Sequence, residues 1–176
     1  DVVAHEFTHA VTASTAELVY LNQPGALNES YSDVMAAMVD TANWLIGEDI
    51  ITAPGVCPAG YPPGTIRDMA NPPACGRPPQ PDRMPPRVPL PPGTRPECDP
   101  TKSTYNDCGF VHTNSGIPNK VAYLIAQGGT HNGFLIYGNG REGTQQLYYD
   151  VLTTRLTSNA QFIDARDATV EQMQGY

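Results

Sequence analysis

The sequence predicts a mainly α-helical fold that is interrupted by one long proline-rich segment. Apolar residues recur at three- and four-residue steps in several stretches, which is the pattern of helices that bury one side. No run of alternating apolar and polar residues indicates a series of strands. Sixteen of the eighteen prolines lie between Pro54 and Pro100. Their fixed φ angles and missing N–H groups exclude a regular helix or a central strand in that segment.

Five helices are predicted, in chain order, at 2–14, 26–40, 114–129, 141–156 and 158–173. The first follows from the spacing of Val2, Val3, Phe7, Ala10 and Val11. The tetrapeptide Asn-Gln-Pro-Gly at 22–25 predicts a turn before the second. Glycine is expected to end the third, and Ser158 or Asn159 to cap the last.

Composition bounds the class of protein. The 176 residues fit a single domain, and no apolar run approaches the roughly 18 residues that span a membrane. The net charge of −8 argues against nucleic acid as a partner and favours bound cations. We therefore expect a protein that acts on neither membranes nor nucleic acids.

The four cysteines, at positions 57, 75, 98 and 108, suggest disulfides and an oxidising compartment. Three pairings are possible, and the sequence does not choose among them. The sequential pairing closes the shortest loops. A zinc site made of four thiolates is the rival interpretation, but it expects closely spaced cysteine pairs, which are absent from this sequence.

The chemical signal lies at the start of the chain, where "HEFTH" has the pattern His-Glu-x-x-His. Residues four apart lie on one face of a helix, so His5 and His9 can direct two imidazoles at one metal ion. Glu6 lies beside that ion and suits a general base that acts on zinc-activated water. A catalytic zinc needs a third protein ligand from elsewhere.

The second predicted helix supplies a candidate ligand in "NESYSD". Glu29 could complete the set. Asp33, one turn further on, could then accept the second ring N–H of a ligating histidine. These groups would form one zinc site built from two helices, because the turn at 22–25 allows the helices to pack side by side. Chance matches to the histidine motif are common, but the conjunction with this acidic helix favours a zinc site.

The stretches "VAHEFTHAVT" and "GALNESYSD" resemble the thermolysin family of zinc endopeptidases. Nineteen residues separate His9 from Glu29, a spacing typical of that family. "IRDMANP" and "FVHTNSGIPNKVAYLIAQGGTH" resemble further family segments. The resemblance implies the helical C-terminal half of a thermolysin-like zinc peptidase, one unit at 1–176 with a proline-rich, cysteine-containing insertion at 51–106. It also implies secretion, polypeptide substrates and a β-rich N-terminal domain of the same precursor that this chain lacks.

The family pattern implies roles for individual residues. One zinc ion would be held by His5, His9 and Glu29, with Glu6 as the general base. Tyr20 and His112 would stabilise the oxyanion, and Asp107 would orient His112. The residues expected to bind substrate are Arg67, which would hydrogen-bond its backbone, and Val2, Ile50 and Ile66, which would line an apolar pocket for a bulky residue after the cut.

About one calcium ion is also implied by the resemblance, with Asp1, Asp40, Asn43 and Glu48 at liganding positions. A solvated acidic edge is the alternative for these four residues. Two other functions compete with the endopeptidase. One is a non-catalytic binding module, against which the retention of Glu6 argues. The other is a zinc aminopeptidase, for which we identify no acidic anchor for the substrate amine.

Overall fold

The structure, a computed structural model, describes residues 1–50, 57–62, 64–75, 79–84 and 95–175. The rest of the predicted insertion at 51–106 lies outside the described residues. The helices are α1 (Val2–Ser14), α2 (Asn22–Val39), α3 (Asp107–Asn114), α4 (Gly116–Gln127), α5 (Gly140–Thr154) and α6 (Phe162–Gln174). Two antiparallel strand pairs accompany them, β1 (Leu45–Ile46) with β2 (Arg67–Asp68) and β3 (Gly129–His131) with β4 (Phe134–Ile136). The mainly α-helical prediction is confirmed, and no described helix is apolar over a length that would cross a bilayer.

The central element is α2, which packs against α1, α3, α4 and α5. Nearly all of its residues from Pro24 to Met38 are buried. Leu27 and Val34 join Leu147, Val151 and Leu152 of α5 in the hydrophobic core. Each such side chain contributes about 1.5–3 kcal/mol when fully buried. Because α2 is enclosed on all sides, the polar residues that it carries are buried as well.

The second helix begins at Asn22, four residues before the predicted start, so the turn expected at 22–25 is wrong. These residues form the first helical turn instead. Pro24 fits there because the first N–H groups of a helix have no intrahelical partner. Gly25 is required because a Cβ at this position would lie 2.5 Å from Val111 Cγ1.

Two large apolar residues of α1 do not face the core, although the helix has its predicted bounds. Val3 is 82% exposed and Phe7 is 71% exposed. The buried residues of α1 are His5, Thr8 and Thr12. The fully buried residues of α1 are therefore polar, while Ala4 and Val11 pack partly buried against the core and Val3 and Phe7 are left exposed.

The cap predicted for α6 is also wrong. Neither Ser158 nor Asn159 caps this helix. Gln161 does, in a capping box in which Asp164 accepts a 2.8 Å hydrogen bond from the Gln161 N–H. The β3–β4 hairpin, which turns at Asn132 and Gly133, was not predicted from the sequence.

The four cysteines form two disulfides, Cys57–Cys75 and Cys98–Cys108. This confirms the disulfide interpretation, chooses the sequential pairing, and excludes the four-thiolate zinc site. In its described parts, the proline-rich segment contains the short strand β2 and one 3-10 turn at Pro72–Ala74. Both are shorter than a regular helix or a central strand, as its proline content predicts.

Candidate metal centre

His5 and His9 lie one turn apart on the face of α1 that meets α2. Their Nε2 atoms are 3.1 Å from each other, and the rings meet edge to face with centroids 4.8 Å apart. His5 is buried and His9 is partly buried. The two imidazole nitrogens therefore converge on one point between the helices.

Glu29 of α2 lies opposite these two rings and is 1% exposed. Its Oε2 is 3.6 Å from His5 Nε2, and its Oε1 is 3.5 Å from His9 Nε2. Oε2 has no hydrogen-bond partner among the described residues. Because a buried carboxylate oxygen without a partner is costly, and two imidazoles with a carboxylate are a catalytic zinc donor set, these three residues fit a zinc ion.

Each histidine also has a side-chain oxygen within 3 Å of its second ring nitrogen. His5 Nδ1 lies 2.8 Å from Asp33 Oδ1, the residue predicted for this place. His9 Nδ1 lies 2.7 Å from Asn28 Oδ1, and the Asn28 amide donates a 3.1 Å hydrogen bond to the Leu18 carbonyl. That bond turns the Asn28 oxygen toward His9, which favours a proton on Nδ1 and leaves Nε2 free to bind metal. No pattern in the sequence points to Asn28.

Asp33 is held in turn by Arg67. The guanidinium forms two 2.7 Å hydrogen bonds with the carboxylate, and Asn119 donates a third at 2.8 Å. Burial would raise the pKa of Asp33, but the charges of Arg67 and His5 hold this pKa well below its usual range. Arg67 reaches Asp33 because it lies on β2, which pairs with β1 just after α2.

Tyr20 and His112 complete the cluster on the side of Glu29. The Tyr20 hydroxyl donates to Glu29 Oε1 and lies 3.2 Å from His112 Nε2. His112 Nε2 is 3.4 Å from the same Glu29 oxygen. Burial, followed by the hydrogen bond to Glu29, raises the pKa of Tyr20, so its hydroxyl stays protonated and can donate.

Asp107 holds His112 at two atoms. Its Oδ1 lies 2.6 Å from His112 Nδ1, and its Oδ2 accepts a 2.9 Å hydrogen bond from the His112 backbone N–H. Burial lowers the pKa of His112, but the hydrogen bond to Asp107 and the charge of Glu29 outweigh it and raise this pKa. The imidazole is therefore biased toward its charged form, with Nε2–H directed at the cluster.

The remaining predicted residues lie further from this convergence. Glu6 is exposed on α1 and is not among the residues whose ligand atoms converge. Val2 and Ile66 are half-buried, and Ile50 is 60% exposed. The structure brings Arg67 into contact with the cluster through Asp33.

The acidic residues after α2 form a second group, which differs in part from the predicted one. Ligand atoms of Asp40, Glu48 and Asp49 lie within 4.8 Å of one another. Asn43 is engaged otherwise, because its Nδ2 donates to Glu48 and its Oδ1 accepts from the Leu45 N–H. Asp1 caps α1, with its carboxylate accepting from Val2 N–H and Gly47 N–H. Asp49 was not predicted from the sequence.

Comparison with known proteins identifies the family. A family model described as the α-helical domain of thermolysin metallopeptidase matches residues 16–175. The chain belongs to the thermolysin family of metallopeptidases. Its relatives within the thermolysin family include bacillolysin of Brevibacillus brevis, 46% identical over 97% of this chain, and extracellular elastase of Staphylococcus epidermidis, 44% identical over 98%.

A solved relative supports the same fold. The precursor of protealysin, a metalloproteinase from Serratia proteamaculans, aligns over 99% of this chain and 51% of its own length, with a TM-score of 0.69 and 32% sequence identity. The chain spans about 28% of the length of the curated thermolysin-family relatives that it matches. It therefore corresponds to one part of those longer proteins.

Proposed function

We propose that this chain is the metal-holding helical half of a secreted zinc endopeptidase. The observation that carries the proposal is the convergence of five side chains on the buried carboxylate of Glu29: His5, His9, Tyr20, His112 and, through Asp33, Arg67. Two imidazoles and a carboxylate can hold one zinc ion, while a phenol and an imidazolium supply donors beside it.

His5, His9 and Glu29 would hold the zinc, which when bound would act as a Lewis acid on the scissile carbonyl and acidify the attacking water. Asp33 and Asn28 orient the two rings. Glu6 follows His5 in α1 and is exposed, so it would lie at the open side of the site. It would accept a proton from the attacking water and pass it to the amide nitrogen as the C–N bond breaks, which yields a carboxylate and an amine.

Tyr20 and His112 would donate to the oxyanion that forms when water adds to the carbonyl carbon. Both already lie at the carboxylate that would hold the metal, so a carbonyl oxygen beside the metal is within their reach. The raised pKa values of both side chains favour donation, because Tyr20 keeps its proton and the charged form of His112 becomes more populated. Asp107 keeps the His112 ring in place during that step.

The substrate would extend past Arg67. This guanidinium is committed to Asp33 through Nε and Nη2, which leaves Nη1 for a substrate carbonyl. Val2, Ile50 and Ile66 would form the apolar wall of the pocket for a bulky residue after the cut. Polypeptides are therefore the proposed substrates.

A β-rich N-terminal domain of the same precursor would form the opposite wall of the cleft. The exposed apolar side of α1, with Val3 and Phe7, supports this proposal because such a face is normally covered. Two disulfides support secretion, since they persist in oxidising compartments. Residues 1–176 would then be one half-domain, with 51–106 as its insertion.

About one calcium ion would bind near the end of α2. Asp40 and Glu48 remain the proposed ligands, together with Asp49, because their oxygens lie within 4.8 Å of one another and Glu48 Oε2 has no hydrogen-bond partner among the described residues. Asp1 would contribute less, because both of its carboxylate oxygens accept from backbone N–H groups, and so would Asn43, because its single side-chain oxygen accepts from the Leu45 N–H.

The test compares Glu6→Gln with wild type in the full-length protein that contains this chain. We expect about one zinc per chain in both proteins. The Glu6→Gln variant should cleave a peptide blocked at its amino end about 10²–10⁴-fold more slowly than wild type, because only the general base is removed. Glu171→Gln serves as the matched control, since Glu171 lies at the surface of α6 with its side chain 66% exposed.

Three results separate the alternatives. Cleavage by Glu6→Gln at the wild-type rate would refute the mechanism. Cleavage only of peptides with a free amino end would indicate an aminopeptidase. Zinc binding without any hydrolysis by wild type would indicate a binding module.

A further inference from the structure

The turn that delivers Asp107 to His112 has an uncommon backbone. Four consecutive residues at the start of α3 have positive φ angles: Asp107 (55°), Cys108 (52°), Gly109 (89°) and Phe110 (65°). Three of them carry side chains, which disfavour this left-handed region. Such a turn persists only where the packing and hydrogen bonds around it hold it in place. Turns of this kind occur often at functional sites.

The conformation of this turn decides where the Asp107 carboxylate lies. Asp107 contacts His112 at both the ring Nδ1 and the backbone N–H, five residues along the chain. If the turn relaxed toward ordinary φ values, the carboxylate would leave the ring. His112 Nε2 would then lose its fixed direction toward Tyr20 and Glu29.

A second chain segment holds the turn in place. The carbonyl of Glu97 accepts hydrogen bonds from Asn106 N–H (3.3 Å) and Cys108 N–H (3.2 Å). The side chain of Asn106 accepts from Glu97 N–H (2.8 Å) and Gly109 N–H (3.0 Å). Opposite this segment, Gly109 abuts α2 so closely that a Cβ would lie 2.2 Å from Asn22 Oδ1.

The covalent link between the two segments lies inside the turn itself. Cys108 is the residue directly after Asp107, is 6% exposed, and is bonded to Cys98. The disulfide therefore fixes the left-handed turn to the segment that hydrogen-bonds it. A disulfide that only stabilised the proline-rich insertion would not need to involve the residue next to Asp107.

We propose that the Cys98–Cys108 disulfide is a positioning element for the Asp107–His112 pair of the proposed endopeptidase. It touches neither substrate nor metal. It holds the Asp107 carboxylate against His112 Nδ1, so that Nε2–H is directed at the oxyanion. This inference rests on the proposed function, and it assigns a role in turnover to two cysteines outside the metal cluster.

The other disulfide provides a matched control. Cys57–Cys75 also closes a short loop, because its cysteines are 18 residues apart in the sequence, compared with 10 for Cys98–Cys108. That loop carries Arg67 and not Asp107, and Cys75 is fully buried. Loss of either disulfide is expected to lower thermal stability, so a general loss of stability does not distinguish the two.

The experiment is a double-mutant cycle with Asp107→Asn in the full-length protein. We expect the double replacement Cys98→Ser/Cys108→Ser to lower kcat about 10–100-fold, with KM and the zinc content unchanged, as is typical when a group that orients a functional side chain is lost. In the Asp107→Asn background, the same replacement should lower kcat no further, because it acts through Asp107. For the replacement Cys57→Ser/Cys75→Ser, any fold-loss of kcat should instead multiply with the fold-loss caused by Asp107→Asn.

A spectroscopic signal accompanies the kinetics. The Nδ1–H proton of His112, which is shared with Asp107 over 2.6 Å, should resonate at low field in wild type and lose that shift in the Cys98/Cys108 variant. If that variant does not fold, Cys98→Ala/Cys108→Ala removes the same bond without placing a hydroxyl at the buried position of Cys108, and it should give both effects.

The outcomes separate this inference from the function on which it rests. A wild-type protein without endopeptidase activity would refute the proposed function. An active wild type whose Cys98/Cys108 variant keeps full kcat, or loses kcat multiplicatively with Asp107→Asn, would refute the positioning role. Wild-type kcat and an unchanged resonance in Cys98→Ala/Cys108→Ala would refute it equally where that variant is the one tested.

Discussion

At the scale of single residues, the cluster depends on neutral partners as much as on charged ones. His9 is oriented by the oxygen of Asn28, whose amide is fixed by the Leu18 carbonyl. His5 has the carboxylate of Asp33 in the same place. Asp33 could be predicted because a carboxylate one turn after Glu29 is a common partner of a ligating histidine. Asn28 could not, because only the packing of α1 on α2 brings it to the ring.

Asn28→Ala should therefore lower the affinity for zinc about 10–100-fold, because His9 loses the acceptor that fixes its ring. Competition with a chromophoric chelator measures this dissociation constant. Asn28→Asp keeps an oxygen at the same place and should retain most of the affinity. A wild-type dissociation constant in Asn28→Ala would show that His9 is oriented by other contacts, such as the 3.2 Å contact with Ser32 Oγ.

Asp33 gives a second prediction at this scale, which concerns acid stability. Its folded-state pKa is depressed, so the unfolded chain binds the proton at a higher pH than the folded chain. The stabilisation is therefore present above the ordinary aspartate pKa of about 3.9 and is lost as the pH falls below that value toward the folded-state pKa. The difference in unfolding free energy between wild type and Asp33→Asn should shrink over this range.

Denaturant titrations with a chelator present measure that difference without the linkage of zinc binding to pH. Glu171→Gln is the control, because Glu171 is exposed and pairs with Arg155 at the surface. Surface pairs contribute about 0–1 kcal/mol, so this variant should follow the wild-type curve. A constant difference between wild type and Asp33→Asn down to low pH would contradict the depressed pKa.

At the scale of elements, the site depends on how closely α3 approaches α2. The contact is at Gly25, where a Cβ would lie 2.5 Å from the buried Val111 Cγ1. His112 follows Val111 on α3, so this contact sets the distance from His112 to Glu29. A larger residue at Gly25 would move the two helices apart.

Gly25→Ala should destabilise the protein by about 1–3 kcal/mol, because a methyl group is forced into a packed contact. The direction of the change in unfolding free energy is informative, because replacing glycine by alanine at an ordinary helix position would stabilise the protein by roughly 0.5–1 kcal/mol. Gly143→Ala in α5 is the matched control. The atoms nearest to its Cβ would all belong to the exposed side-chain amide of Asn139, which can move away. Chemical denaturation measures the unfolding free energy of both variants. An equal change in both would show that the contact between Gly25 and Val111 is not tight.

The elements also show what the sequence could predict. Helical periodicity placed five helices, because it depends on residues within a few positions of one another. The same periodicity assigned Val3 and Phe7 to a buried side, which is wrong because His5, Thr8 and Thr12 occupy the inner face of α1. The turn expected at 22–25 failed because Pro24 and Gly25 suit a first helical turn equally well. The disulfide pairing and the left-handed turn at Asp107 depend on long-range packing, which local patterns do not contain.

At the scale of the whole molecule, the proposed zinc ion would join two helices whose mutual interface is polar. α1 buries His5, Thr8 and Thr12 toward α2, and it exposes Val3 and Phe7. Ala4 and Val11 of α1 pack only partly buried against the hydrophobic core, so hydrophobic burial contributes less to this interface than to the α2–α5 contact. Glu29 and both histidines bring costly polar groups into it, and a bound cation would offset that cost. Docking of α1 should therefore depend on metal more strongly than the α2–α5 core does.

Zinc removal is the prediction that follows. A ligand that binds only the folded state stabilises it by about 2.7 kcal/mol at one hundred times its dissociation constant. For a chain of this size, that corresponds to a rise in Tm of roughly 5–10 °C. We expect a zinc chelator to lower Tm by this amount, added zinc but not calcium to restore it, and amide exchange to accelerate in α1 before α5. The double variant His5→Ala/His9→Ala should not respond to either treatment. An equal drop in that variant would assign the stabilisation to another ion.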